Sequence, residues 1–154
     1  MNAQVPDPNQ DGLTHLNVYS QACTVLGRFL SNFAHAPFEC SDGRFASIEG
    51  YWYWLSCTHT RRDELRTAYG YTAKKLGREL CGADWKSDDE FQDKIKRAIS
   101  SKLQAYPAML KQLQDNKLPL QHYYVFGKGD NIKVHQDGRS DWIINHLSSH
   151  METR

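Results

Sequence analysis

The chain has 154 residues, of which 40% are hydrophobic and 24% are charged. This size and composition fit one globular domain, and the formal net charge of +1 excludes a strong global field for gathering nucleic acid or an anionic membrane. No apolar run reaches the roughly 20 residues that a bilayer-spanning helix needs. The four cysteines form no CxxC pair. We therefore expect a cytoplasmic protein with reduced thiols.

The first third of the chain predicts a tail followed by short strands. Residues 1–13 are polar and lack periodicity, which predicts a flexible tail before a single domain at residues 14–154. A short strand is predicted at residues 16–19. A hairpin is predicted at residues 37–45, because Ser41, Asp42 and Gly43 separate two short alternating runs.

Three short helices are predicted next. Ser47 can cap a helix that begins at Ile48 and ends near residues 56–60, with Glu49 in its first turn. Residues 61–69 and 72–80 indicate two more helices, punctuated by Gly70 and stopped by Gly82. Their basic residues form a surface of the kind that is usually only solvated. Gly77 is unusual there, since glycine in mid-helix costs about 1 kcal/mol relative to alanine. Close approach of another group would explain it.

The second half of the chain is predicted to be mostly helical. Ser87 and Glu90 form a capping-box pattern before apolar residues that recur at helical spacing up to Tyr106, and Pro107 opens a further helix to about residue 114. A strand at residues 120–126, a polar loop at 127–138 and a closing helix at 140–151 follow. The predicted fold class is α+β, a mainly helical single domain with a small N-terminal hairpin or sheet and a late strand.

Two weaker patterns favour plain structural interpretations. His146 and His150 would share one helix face, as a zinc site needs, but there is no HExxH motif and no third ligand nearby in the sequence. The loop GKGDN at residues 127–131 could hold a phosphate, but the full P-loop pattern is missing and a turn is favoured. We predict no metal and no cofactor.

Glu49 is the candidate for chemistry. On a helix its face is shared by Trp52, Tyr53 and Ser56. A carboxylate beside an indole and a phenol suits a site that stacks an aromatic base while a negative group stabilises positive charge at a sugar carbon. The residues alone favour the plainer interpretation, in which Glu49 interacts with the helix dipole and the aromatic rings fill the core.

The segment LSNFAHAPFECSDGRFASIEGYWYWL at residues 30–55 resembles the NADAR (YbiA-like) family, whose members carry (F/L)SNF, a proline, a hairpin with glycine and then SxEHYYQ. The matching residues are Leu30, Ser31, Asn32, Phe33, Pro37, Phe38, Gly43, Ser47, Glu49 and Tyr51. Downstream, Ala73, Gly77 and Arg78 resemble the family's AxxxGR helix. Trp85 resembles the tryptophan that precedes its long helix. The resemblance covers roughly residues 16–106.

The resemblance implies the NADAR fold and an N-glycosidase that acts on ribose joined to nitrogen. The implied substrates are nucleotide-like: ADP-ribose attached to guanine bases, with modified DNA as a partner, or phosphorylated riboflavin-pathway intermediates. Glu49 would be the acidic catalytic residue, and Tyr53 is the predicted proton donor to the departing base. The predicted substrate-binding residues are Ser31, Asn32, Phe33, Trp52, Ser56 and Arg78.

The sequence also departs from the family pattern. Gly50 stands where the family has His, Tyr53 where it has Gln, and Ser56 or Cys57 where it has a lysine that takes part in catalysis in some members. A family member without that lysine could use a lysine from another position for catalysis, or could use only the glutamate and water. The alternative function is a catalytically inactive module that binds or sequesters ADP-ribose, NAD or a related nucleotide. A third is an interaction protein whose aromatics are only core. Small divergent members would suit a phage or a toxin–antitoxin system.

Overall fold

The structure is a computed structural model that describes residues 5–82 and 87–152. Its α-helices are α1 (Val25–Leu30), α2 (Ile48–Ser56), α3 (Gly70–Cys81), α4 (Asp89–Ala105), α5 (Pro107–Asp115) and α6 (Asp141–Ser148). Its strands are β1 (Leu16–Asn17), β2 (Phe38–Cys40), β3 (Gly43–Phe45), β4 (Leu120–Gln121), β5 (Tyr124–Phe126) and β6 (Lys133–His135). Short 3-10 helices lie at Pro8–Gln10, Arg62–Thr67 and Gly129–Asn131.

Helices predominate and the strands are short, which confirms the predicted α+β class. In the described residues β1 pairs with β4 in parallel, and β2–β3 and β5–β6 are antiparallel pairs. The chain folds into two compact units. The terminal unit comprises the chain up to Ser31 and again from Lys111, and the central unit runs from Asn32 to Leu110. The predicted single domain at residues 14–154 stays a prediction.

A buried polar network holds the terminal unit together. The Asn17 side chain donates to the carbonyl of Tyr123 and accepts from its N–H, both at 3.0 Å. The Tyr123 hydroxyl lies 2.6 Å from Nε2 of His15. Asp11 is buried, and its carboxylate accepts the N–H groups of Asn17 (2.8 Å) and Cys23 (2.9 Å). Asp11 belongs to the segment at residues 1–13 that was predicted as a flexible tail. The prediction is wrong at this residue, because its side chain is buried and hydrogen-bonded inside the terminal unit.

The late strand and loop differ from their prediction. The predicted strand at residues 120–126 is interrupted, because β4 pairs with β1 whereas β5 pairs with β6. The predicted loop at residues 127–138 contains β6, which was missed because three residues are too short to show a strand period. Gly127 adopts φ 91°, a conformation that favours glycine, where the chain leaves β5. Ser140 is at the N-cap of α6 but makes no side-chain capping bond.

The central unit is built around α2, which contacts β3, the 3-10 helix at Arg62–Thr67, α3 and α4. Ser47 caps α2 as predicted: its Oγ accepts from the N–H of Gly50 (3.0 Å) and donates to the carbonyl of Ala68 (2.9 Å). The helix predicted at residues 61–69 is a 3-10 helix instead. Its geometry follows tertiary bonds, since the carbonyl of Arg66 accepts from Ala46 at 2.8 Å.

Helix α4 buries apolar residues at helical spacing, as predicted, and α5 begins at Pro107, also as predicted. The cap of α4 is Asp88, which accepts from the N–H of Phe91 at 2.9 Å, and not Ser87. Asp and Ser are comparable caps, so the pattern alone does not distinguish two adjacent candidates. The buried residues of this helix are Phe91, Ile95, Ala98, Ile99, Lys102 and Leu103.

Lys102 makes the stability of the protein depend on pH. It is 3% exposed, and burial lowers the pKa of its ammonium group from 10.5 to about 7. Between these values the unfolded chain binds more protons than the folded one, so the free energy of unfolding rises with pH above about 7. From pH 7 to 9, urea unfolding of the wild type should show a rise on the order of 1–2 kcal/mol from this group. Lys102→Met should lose that rise and Lys96→Met, on the same helix, should keep it; equal slopes in both variants would contradict the assignment.

Candidate active site

Two of the four aromatic residues of α2 face the β2–β3 hairpin and the 3-10 helix. Tyr51 is buried, and its hydroxyl donates to Oδ2 of Asp42 at 2.7 Å. Trp54 donates from Nε1 to Asp63 at 2.9 Å, and the Arg62 guanidinium lies 4.0 Å from its ring centroid. These two rings fill and cover the core, as the plainer interpretation of the sequence predicts.

The other two aromatic residues face α4 and α3. The Trp52 indole packs edge-on against Phe91 of α4, with ring centroids 4.8 Å apart. Tyr53 lies against α3, where a Cβ added at Gly77 would be 2.2 Å from Cγ of its ring. The glycine therefore allows the phenol ring to rest on the helix backbone, which is the close approach that the sequence indicated. Tyr53 reaches α3 only because residue 77 has no side chain.

Glu49 lies in the first turn of α2, and its N–H donates to the carbonyl of Asn32 at 3.0 Å. The residue keeps part of its surface exposed, yet protein atoms surround its carboxyl group densely enough for desolvation to raise its pKa to about 7. The positive charges of Lys74 and Arg78 act in the opposite direction and only partly offset this effect. Among the described residues, its carboxylate makes no hydrogen bond or close ion pair. The group is therefore recessed, near cations and available to a ligand.

Lys74 and Arg78 are four residues apart on α3, so they share a helix face. Lys74 is half-buried and Arg78 is exposed. Burial raises the pKa of the Tyr53 hydroxyl, the negative charge of Glu49 raises it further, and Arg78 lowers it. The Tyr53 ring is buried but its hydroxyl lies in less crowded surroundings than the Glu49 carboxyl. The structure thus brings together four groups, of which Lys74 was not among the predicted site residues; its spacing from Arg78 is the signal that would have found it.

The SNF segment, residues 31–33, is hydrogen-bonded to the first turns of α2 and α3. The carbonyl of Asn32 accepts from Glu49, and the carbonyl of Phe33 accepts from the N–H of Gly70 at 2.9 Å. Both residues are half-buried in the central unit. Ser31 is buried at the C-cap of α1 and is the last residue of the first segment of the terminal unit. Backbone bonds from this segment therefore fix the first turns of α2 and α3.

The remaining predicted residues lie elsewhere. Ser56 ends α2, about two helical turns from Glu49, and the structure does not bring the two together. Trp85, which resembles the tryptophan before the family's long helix, lies outside the described residues. A surface cavity of about 420 Å³ belongs to the terminal unit, and no residue of the Glu49 cluster lines it. Its lining residues are Gly12, Leu16, Thr24, Val25, Leu26, Gln112, Asp115, Asn116 and Leu118.

Neither a metal cluster nor a membrane span occurs in the described part of the chain. Within residues 5–82 and 87–152, no three His, Cys, Asp or Glu side chains are grouped so that they could hold a metal ion. His146 and His150 contact each other edge-on, with ring centroids 5.1 Å apart. In the same ranges, no helix combines the length and the apolar character needed to cross a bilayer.

Comparison with known proteins identifies the architecture. No protein-family model and no curated protein matches the sequence. The NMR structure of the Escherichia coli protein YbiA does match, with a TM-score of 0.62 and 18% sequence identity, over 94% of this chain and 92% of that one. The chain has a YbiA-like fold. At this identity the likeness concerns the fold, and it confirms that part of the NADAR resemblance.

Within the YbiA-like fold, two departures of the sequence from the family pattern have visible surroundings. A Cβ added at Gly50 would be 2.4 Å from the carbonyl oxygen of Leu65, so glycine lets the 3-10 helix approach α2. At the family's lysine position, Cys57 is buried and Ser56 is half-buried. The ammonium group whose charge acts on Glu49 comes instead from Lys74 of α3.

Proposed function

We propose that the protein is an N-glycosidase that hydrolyses the bond between ribose C1 and a nitrogen in a nucleotide-like substrate. The observation that carries the proposal is the environment of Glu49: a recessed carboxyl group whose pKa is raised to about 7, tied by its N–H to the SNF segment on which the NADAR resemblance depends. The YbiA-like fold supports it at the level of architecture.

The chemistry follows from the charge that develops in this reaction. Breaking the bond between ribose and nitrogen gives a cation-like state at the anomeric carbon, which a carboxylate stabilises. A pKa of about 7 suits a general base at neutral pH. In the ionised form Glu49 would face the sugar carbon and take a proton from the attacking water. This step uses the chain's own groups, so the proposal includes no metal and no cofactor.

The neighbours of Glu49 have complementary roles in the proposal. The raised pKa of Tyr53 keeps its hydroxyl protonated at neutral pH, so it can donate to the departing base. Lys74 and Arg78 supply positive charge on one face of α3, which suits a substrate phosphate. Asn32 and Phe33 would border the sugar. The substrate classes proposed are ADP-ribosylated guanine in DNA and phosphorylated riboflavin-pathway intermediates, met in the cytoplasm.

A turnover assay with a binding arm tests the proposal. The purified protein would be incubated with DNA carrying ADP-ribosylated guanine, with phosphorylated riboflavin precursors and with NAD, and released base and sugar would be measured by mass spectrometry. We expect product from at least one substrate with the wild type and none with Glu49→Gln. Calorimetric binding of ADP-ribose without product from any substrate would overturn the enzyme in favour of an inactive binding module. If neither product nor binding were detected, the remaining interpretation would be an interaction protein whose aromatic residues only fill the core.

Lys74 has a matched control in its neighbour. Its charge lowers the pKa of Glu49, so Lys74→Met should raise that pKa and shift the rising limb of the pH–rate profile upward. We expect activity at pH 7 to fall about fivefold for a shift of one pKa unit, because the ionised fraction of Glu49 falls from about one half to about one eleventh, with a weaker apparent affinity for a phosphorylated substrate. Lys75 is exposed and is not among the charges that act on Glu49. Lys75→Met should therefore keep the wild-type profile; identical profiles for the two variants would contradict the role of Lys74.

A further inference from the structure

The β5–β6 hairpin of the terminal unit carries a row of rings that the proposed chemistry does not use. The ring of Tyr124 lies 6.1 Å from that of Phe126 at an interplanar angle of 21°, and 6.2 Å from that of His135 at 23°. Tyr124 and His135 are cross-strand partners, and side chains two residues apart on a strand share a face. Three rings of similar orientation therefore lie on one face of the hairpin.

This ring row is fixed at its inner end and exposed at its outer end. The ring of Tyr124 makes edge contacts with Tyr19, at 5.9 Å, and with His122, at 4.9 Å. His122 is itself held by the carbonyl of Val18, 2.7 Å from Nδ1. Phe126, in contrast, is 55% exposed. An exposed ring supported by an ordered row is the arrangement on which a planar ligand can stack.

Two exposed lysines lie on the strand and turn next to the exposed end. Lys133 is the cross-strand partner of Phe126, and Lys128 is exposed in the turn that follows β5. The carboxylate of Asp137 lies 3.1 Å from the Arg139 guanidinium and 3.6 Å from Nε2 of His135, and Asp130 is the acidic residue of the turn. Among the described residues neither lysine makes an ion pair. A ligand that combines flat rings with phosphates fits this face better than an apolar peptide does.

We propose that this hairpin face binds single-stranded nucleic acid, with a base stacked on Phe126 and backbone phosphates beside Lys133 and Lys128. Stacking on aromatic rings with cations along the backbone is the common mode of sequence-tolerant single-strand binding. The bases of a duplex are already stacked on one another, so the face selects single strands. The inference stands independently of the N-glycosidase activity, because it rests on residues of the terminal unit alone.

Fluorescence anisotropy with a labelled oligothymidylate of about ten nucleotides tests whether the hairpin face binds single-stranded nucleic acid. The full chain should bind the single strand more tightly than a duplex of the same length. Two phosphate contacts predict that the binding constant falls roughly sevenfold between about 50 and 200 mM salt. Glu49→Gln should bind as the wild type does, so failure of this inference is distinguishable from failure of the proposed activity.

Variants at one position separate stacking from general apolar contact. Phe126→Trp should keep the binding, whereas Phe126→Leu, which is apolar but cannot stack, should weaken it about fivefold or more. Lys133→Gln should weaken binding and reduce the salt dependence. Leu13→Ala, which removes a 69% exposed apolar side chain from the same unit, is the control and should change nothing. No binding by the wild type, equal binding of duplex, or full binding by Phe126→Leu would overturn the proposal.

Discussion

Glu49→Gln should slow turnover by several orders of magnitude and stabilise the protein at the same time. Loss of a general base lowers rates by about 10²–10⁴-fold. The stability effect has the opposite sign because burial raises the pKa of Glu49 from 4.5 to about 7. Between these values the native state binds more protons than the unfolded state, so the carboxyl group makes the free energy of unfolding fall as pH rises through this window. Glutamine has the same shape and does not ionise, so the variant avoids that loss.

The gain in stability should be largest above pH 7 and vanish below about pH 4.5. Because Glu49 is partly exposed, solvent screening reduces the effect, and we expect on the order of 1–3 kcal/mol at pH 8. Urea unfolding at pH 4.5, 6 and 8 would measure it. Glu39→Gln, at an exposed position of β2, is the matched control and should stay within about 0.5 kcal/mol of wild type. A Glu49→Gln variant that turns over substrate normally, or that is no more stable than wild type at pH 8, would contradict the environment described for this carboxyl.

Gly50→Ala should destabilise the protein, although alanine is the better helix former by about 1 kcal/mol. The added Cβ would lie 2.4 Å from the carbonyl oxygen of Leu65 and 3.2 Å from that of Ala68. Both neighbours are backbone atoms, so the 3-10 helix must move as a whole. Overpacking of this kind typically costs about 1–3 kcal/mol, and occasionally more. Gly50→His, which introduces the residue of the family pattern, should exceed that range and prevent folding at 37 °C.

Chemical denaturation followed by circular dichroism would measure the Gly50 variants. Gln104→Ala, at an exposed position of α4, is the control and should stay within about 0.5 kcal/mol of wild type. If Gly50→Ala were as stable as Gln104→Ala, the approach of the 3-10 helix to α2 would not depend on glycine. The departure from the family pattern at this position would then have no structural cause.

Local signals predicted most elements of the fold. Ser47 and Pro107 marked helix starts because capping and the fixed φ of proline act within one turn. The β2–β3 hairpin was predicted from its turn residues for the same reason. Long-range contacts produced the differences: β6 is too short to show a period, and Asp11 is buried because its carboxylate meets N–H groups that come later in the chain.

The candidate site was predicted less completely. Glu49, Tyr53 and Arg78, three of the predicted residues, lie in one cluster, and the Tyr53 ring is the group whose close approach explains Gly77. Lys74 was missed although its spacing from Arg78 was visible. Trp52 shares a helical face with Glu49 in the sequence but packs on Phe91. The helical period predicts which side of α2 a residue lies on. It does not predict which residue of another helix, here Phe91 of α4, the side chain contacts.

A titration of Glu49 with and without ligand tests the central claim most directly. With its side-chain carboxyl labelled with ¹³C, NMR would follow the group from pH 4 to 9 alone and with saturating ADP-ribose. The proposed site predicts a pKa of about 7 in the free protein and a change on binding, whereas the signal of the same label at exposed Glu39 should not respond to ADP-ribose. A Glu49 pKa near 4.5 that ADP-ribose leaves unaltered would contradict a recessed catalytic carboxylate at this position.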